Sequence, residues 1–197
     1  MNLFPENTKG QRIQTNVNGL GIIQGFIAHL LVSEAYAVAA SNISILAATG
    51  LTTEAQSIKE GITNPGIPRN IKIVGNASGI AGNVVIKGTN YNGNSITETI
   101  VLNGTTEVEG VKAFKTVTEI DLPIQTNVSG DAVSVGFGEK LGIPYKLSHN
   151  TVLAAYLDNA KEATSPTVIT SAITLENNTI KLNSALNGKN VDVYLIV

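Results

Sequence analysis

Between residues 64 and 123, short runs rich in Val, Ile and Thr alternate with Gly and Asn. Four runs, 71–74, 83–87, 95–102 and 111–120, lie between Asn64-Pro65-Gly66-Ile67-Pro68 on one side and Leu122-Pro123 on the other. Side chains branched at Cβ fit a pleated, half-buried surface, and runs of this length between turn residues predict an antiparallel β-sandwich. Asn92-Gly93 and Asn103-Gly104 supply the turns, since both residue types tolerate positive φ. Alternation assigns faces. Val84, Ile86 and Gly88 share one; Phe114 and Ile120 share another with Thr116 and Thr118. Glu98 falls on the face of Ile96 and Ile100, so it is expected at a sheet edge or paired in an interface, where the cost of burying a carboxylate is met.

The flanks carry weaker patterns. Residues 22–48 are the most apolar part of the chain. They read as core strands or one buried helix over 24–40, and the alternation of Ile43, Ile45 and Ala47 favours strands. His29, Glu34 and Asn42 within that span argue against a membrane helix. Ala35-Tyr36-Ala37 mimics a leader cleavage site, but Glu34 and the long polar lead-in argue against a secretory leader. Residues 1–21 are polar, rich in Gly and Asn, and without periodicity, which predicts an extended arm that orders only on a partner. Lys9 and Arg12 in the arm, with Ile22 and Ile23 after it, are the candidate partner-binding residues.

Thr52-Thr53-Glu54 offers a cap for one short helix within 51–61. Val133, Val135 and Phe137 alternate in a strand over 127–137. Residues 142–147 read as an extended edge segment, because Pro144 cannot join a ladder. Residues 151–157 read as a strand or a single helical turn, and 167–169, 179–182 and 191–197 as strands. The last is apolar on both faces and predicts a central strand. The expected fold is an all-β, antiparallel β-sandwich, Ig-like or jelly-roll-like, with an N-terminal arm. It divides into 1–62 (arm and apolar segment), 63–148 (sandwich core) and 149–197 (C-terminal strands packing on that core).

Composition narrows the function classes. The chain of 197 residues is 43% hydrophobic but only 14% charged, against about a quarter charged in ordinary domains. Asn, Thr and Ser must therefore supply the surface polarity, and such a surface is cheap to desolvate against other proteins. Net charge is −2, with no basic cluster and only Arg12 and Arg69 as arginines, so phosphate-neutralising nucleic-acid binding is disfavoured. Absence of Cys removes disulfides and thiolate metal sites. His29 and His149 sit in no H-E-x-x-H or triad-like context. The spacings of Gly19, Gly21, Gly25 and of Gly136, Gly138, Gly142 miss the dinucleotide fingerprint. The reading is a non-enzyme with no catalytic, cofactor or metal site.

The run 79–89, Gly-Ile-Ala-Gly-Asn-Val-Val-Ile-Lys-Gly-Thr, continues through Gly93-Asn94-Ser95-Ile96-Thr97-Glu98-Thr99-Ile100-Val101-Leu102-Asn103-Gly104-Thr105-Thr106. With Asn64-Pro65-Gly66-Ile67-Pro68-Arg69 before it and Lys112-Ala113-Phe114-Lys115-Thr116-Val117-Thr118 after it, this block resembles a family of tailed-phage virion proteins. The resemblance implies a β-sandwich framework and carries no catalytic residue. It implies a capsid decoration (head auxiliary) protein, made in the cytoplasm of the bacterial host and placed on the virion exterior. Expected partners are the major capsid protein and further copies of the chain, a trimer first, with neither nucleic acid nor membrane. The alternative is a tail-associated β-sandwich module that binds host-surface glycans. That reading expects aromatics around a groove, and an aromatic content of 5% with no Trp counts against it.

Overall fold

The computed structural model describes residues 11–14, 22–125 and 130–197, with side chains from Gly25 onward. Every strand pairing in it is antiparallel, which is the expected fold class. In chain order the strands are β1 (Gln11–Gln14), β2 (Ile22–Gly25), β3 (Ile27–Val32), β4 (Ser41–Gly50), β5 (Gln56–Ile58), β6 (Arg69–Gly75), β7 (Ala81–Thr89), β8 (Ser95–Asn103), β9 (Val108–Phe114), β10 (Thr116–Leu122), β11 (Ala132–Gly142), β12 (Val152–Leu157), β13 (Ala160–Lys161), β14 (Thr167–Ile169), β15 (Thr179–Lys181) and β16 (Val191–Ile196). A 3-10 turn at Leu175–Asn177 is the one helical element among the described residues. The helix expected after Thr52 does not form. Thr52 Oγ1 closes locally on Glu54, donating to its carbonyl and accepting from its N–H, and the chain then enters β5.

Two sheets enclose the larger core in a half-barrel. One runs β5-β10-β7-β8; the other runs β14-β15-β11-β6-β9, with β4 also paired to β11. Ile71, Ile73, Val133 and Val135 from the second sheet meet Val84, Ile86, Ile100 and Ile120 from the first, all buried. A third sheet, β13-β12-β16-β3, covers a smaller core containing Val32, Leu141, Ala155, Ile180, Val191, Val193 and Leu195. As expected, β16 is central there, but only Val191, Val193 and Leu195 face the core, while Asp192 and Tyr194 face out. The segment 1–62 is shared out: β3 pairs β16, β4 pairs β11 and β5 pairs β10.

Three patterns read differently in space. The run 111–120 is two strands in two sheets: β9 pairs β6, β10 pairs β7, and the chain crosses over at Lys115, whose N–H donates to Thr89 O. Strands that bend from one sheet into the other form the corners of such sandwiches. A register shift between Val117 and Glu119 then buries Val117 and exposes Thr118, so Thr118 does not share the face of Ile120. In β4, register shifts against β11 bury Ile45 and Leu46 together and expose Ile43 and Ala47, overturning the expected common face.

Other expectations hold. The β7–β8 hairpin closes at Asn90–Asn94, where Gly93 has φ +81° and Asn90 Oδ1 accepts the N–H groups of Asn92 and Asn94. The Asn103-Gly104 turn is inverted as well, with φ +55° at Gly104, yet that glycine is buried against Ser78. Residues 143–147 are not a strand. Asn178, fully buried, holds them: Ile143 N donates to its carbonyl and Leu147 N to its Oδ1, while its Nδ2 donates to Ser171, Thr174 and Leu175 carbonyls. Arg69 opens β6 fully buried, donating to Val38 O and Gly138 O above the Phe137 ring; burial pulls its pKa down to about 10, against the pull of Glu139.

Glu98 lies where its pattern put it. β8 is an edge strand of its sheet and β9 an edge strand of the other. The Glu98 carboxylate bridges them, accepting Val111 N–H at 2.7 Å and Lys112 N–H at 3.3 Å. Lys112 Nζ returns the link to Thr97 O at 2.8 Å. Gly110 leaves room for the carboxylate, since a Cβ there would stand 2.4 Å from Glu98 Oε2. Burial pushes the Glu98 pKa up, and the two N–H groups with Lys112 and Lys140 pull the other way.

Candidate functional site

The outward face of the third sheet carries an aromatic cluster with a carboxylate beside it. Strand alternation turns Ala28, Leu30 and Val32 of β3 inward and Ile27, His29 and Leu31 outward. Register then sets His29 beside Tyr194 and Leu31 beside Asp192 on β16, with Ala154 and Tyr156 of β12 on the far side of those two. His29 stacks on Tyr194 with centroids 4.6 Å apart and planes 7° from parallel. Its Nε2 lies 2.7 Å from Asp192 Oδ1. Tyr156 meets Tyr194 edge-on at 6.0 Å and 90°.

A cavity of about 320 Å³ opens on this face, lined by Tyr156, Asn159, Asp192 and Tyr194. Its rim is the two-residue turn between β12 and β13, where Asp158 and Asn159 have φ +52° and +63°. Asp and Asn are the non-glycine residues that best accept this conformation, and it matches the twist of a tight hairpin. Asp158 N–H is tied to Asn190 O at 2.9 Å, which fixes the turn against the β16 approach. The Asp192 side chain keeps only 19% of its exposure although it projects from the outer face. A carboxylate shielded by two phenol rings and braced by an imidazole is a fixed acceptor.

Of the sequence-expected partner residues, Lys9 is outside the described residues. Arg12 pairs with Gln24, Ile22 with Gln14 and Ile23 with Ile13 in the β1–β2 ladder, so this part of the arm finds a strand partner within the chain. The ladder leads through Gly25 into Phe26, whose N–H and carbonyl exchange 2.9 Å hydrogen bonds with Val197, and so into β3. Compared with protein-family models, with curated proteins and with solved structures, the chain gives no match.

His149 contacts its neighbour Ser148, Nδ1 to Oγ 2.8 Å, in an exposed position. Among the described residues no three His, Asp or Glu side chains gather as metal ligands would. The aromatic cluster escaped the sequence reading, which weighed how few aromatics there are. Their number mattered less than their placement: His29, Tyr156 and Tyr194 come from three strands, and only the register joins them. The one signal in the sequence was polar residues, Asp192 and Tyr194, alternating with valines in the last strand.

Proposed function

We propose that the protein is a non-enzymatic structural component of a tailed-phage virion, a decoration protein bound to the outside of the capsid. The resemblance of residues 64–118 to phage virion proteins suggests the class, and one observation carries the reading further. Phe26, Ile27, Leu31, Tyr36, Val38 and Ile43 are all exposed, all within residues 26–43, directly after the β1–β2 ladder. Of these, Ile27 and Leu31 stand together on the outward face of β3, and exposed apolar groups on one face of a charge-poor protein suit contact with another protein. The main-chain pair between Phe26 and Val197 ties the end of β2 to the body.

In this role the mechanism is mechanical. Apolar and main-chain contacts bridge neighbouring copies of the major capsid protein, and further copies of this chain, as a trimer, cover local three-fold positions. Binding the assembled shell in preference to free subunits stabilises the lattice by mass action. The second reading, a glycan-binding module on the tail, is favoured by the tyrosine-lined cavity. Both readings place the protein in the virion.

The test is deletion of residues 2–20. Among the described residues both cores are built from Ala28 onward, so circular dichroism should keep its β spectrum while co-sedimentation with undecorated heads is lost. A truncated protein that still co-sediments at full occupancy would show that the arm is not the anchor.

A further inference from the structure

We infer that the cavity between β12 and β16 is a saccharide site that takes one neutral sugar ring, with its carbon face against tyrosine and its hydroxyls on Asp192 and Asn159. Pockets that hold small ligands combine aromatic walls with a few converging polar groups, and about 320 Å³ is at the small end of their range. Here the walls are Tyr156 and Tyr194, set at right angles. The polar groups are a carboxylate, a primary amide and the two phenol hydroxyls. That set of acceptors and donors suits adjacent hydroxyls: the carboxylate accepts from two, and the amide both donates and accepts.

The groups are held in place before any ligand arrives. His29 stacks on Tyr194 and engages Asp192 through Oδ1 at 2.7 Å, which leaves the second carboxylate oxygen without a side-chain partner among the described residues. Asn159 sits on a tight turn that is tied through Asp158 N–H to Asn190 O. Groups fixed in their bound arrangement lose little entropy on binding, which is what a small ligand with few contacts requires. Among the described residues no Lys or Arg lines the cavity, which disfavours anionic ligands. A quaternary ammonium is the competing ligand, because aromatic faces with a carboxylate attract cations. The sugar is favoured because a cation cage needs carbon faces all round, whereas two of these four lining residues present amide and carboxylate.

The site does not depend on whether the protein sits on head or tail. Its test uses the free full-length chain, so its failure is distinct from failure of the capsid-binding test. The probes are the methyl glycosides of glucose, galactose and N-acetylglucosamine, with tetramethylammonium chloride as the cation, titrated into labelled protein and followed by amide NMR shifts and saturation transfer. At least one glycoside should bind saturably in the millimolar range, with saturation transferred to ring C–H protons and shifts centred on residues 154–160 and 192–194. Tyr156→Ala should weaken that binding about tenfold or more. Asn159→Gly should weaken it severalfold with thermal unfolding unchanged, because glycine suits φ +63°. This second variant keeps the test valid if Tyr156→Ala fails to fold. No saturable glycoside, glycoside shifts that Asn159→Gly and Tyr156→Ala leave unaltered, or binding of tetramethylammonium alone would each overturn the proposal.

Discussion

Glu98 is the clearest place to test how the two large sheets are joined. Replacing it with Ala removes the acceptor of two β9 N–H groups, those of Val111 and Lys112, on a side chain that is 9% exposed. Each hydrogen bond to a charged group is worth about 1.5–3 kcal/mol. Relief of the buried charge offsets part of that sum, leaving a net loss of about 2–4 kcal/mol. Glu98→Gln keeps an oxygen near Oε1, the atom that both N–H groups approach, and should change stability by less than about 1 kcal/mol at neutral pH.

The two variants also separate the charge from the hydrogen bonds. Burial raises the folded-state pKa of Glu98 above its ordinary 4.5, so the folded state binds the proton more readily than the unfolded one. The contribution of Glu98 is therefore greatest below pH 4.5 and declines as pH rises through the raised value. Urea denaturation followed by circular dichroism, at pH steps from neutral down to that value, should show the wild type gaining on Glu98→Gln as pH falls. The reasoning fails if Glu98→Ala unfolds within about 0.5 kcal/mol of wild type, or if the wild type loses ground to Glu98→Gln on acidification.

Three further outcomes are expected. Asn178→Ala should cost about 3 kcal/mol or more in the same denaturation, because it strands buried N–H groups and carbonyls at once; an Asn178→Ala protein with wild-type midpoint would refute the hub. Gly88→Ala should unfold the protein or lower its melting temperature sharply, since the new Cβ would stand 1.9 Å from Thr116 O, while Gly79→Ala, with nothing within 4 Å, should be neutral. Glu119, held down to about pKa 2 first by Lys87 and then by Ser57, contributes stability above the ordinary carboxyl value of 4.5 that is lost as pH falls towards 2; Glu119→Gln should remove that acid-side loss, and salt should shrink it in the wild type.

The hairpin of β7 and β8 was legible because its signals are local: alternating valines and isoleucines, and a glycine that must adopt positive φ. The edge position of Glu98 was legible because a carboxylate on an apolar face has few solutions. The crossing at Lys115 was not, since no Gly or Pro marks it and the cause is a partner strand, β6, that lies about forty residues earlier. The face reversals in β4 and β10 come from extra residues in their ladders, and one inserted residue exchanges every later face. The site was less legible still. His29 meets Asp192 across a separation of 163 residues, a pairing fixed by the register of β3 on β16.

That same pairing governs when the protein can fold. The third sheet joins β3 to β16 across about 160 residues, so on the ribosome Ala28, Leu30 and Val32 stay uncovered until β16 has emerged. Contacts this distant in sequence slow folding, because the loop must close before the pairing stabilises it. The larger core needs nothing beyond β11 and can close first. Assembly that uses the outward face of β3 would then be restricted to chains in which β16 has already paired, because only that pairing holds β3 in the sheet.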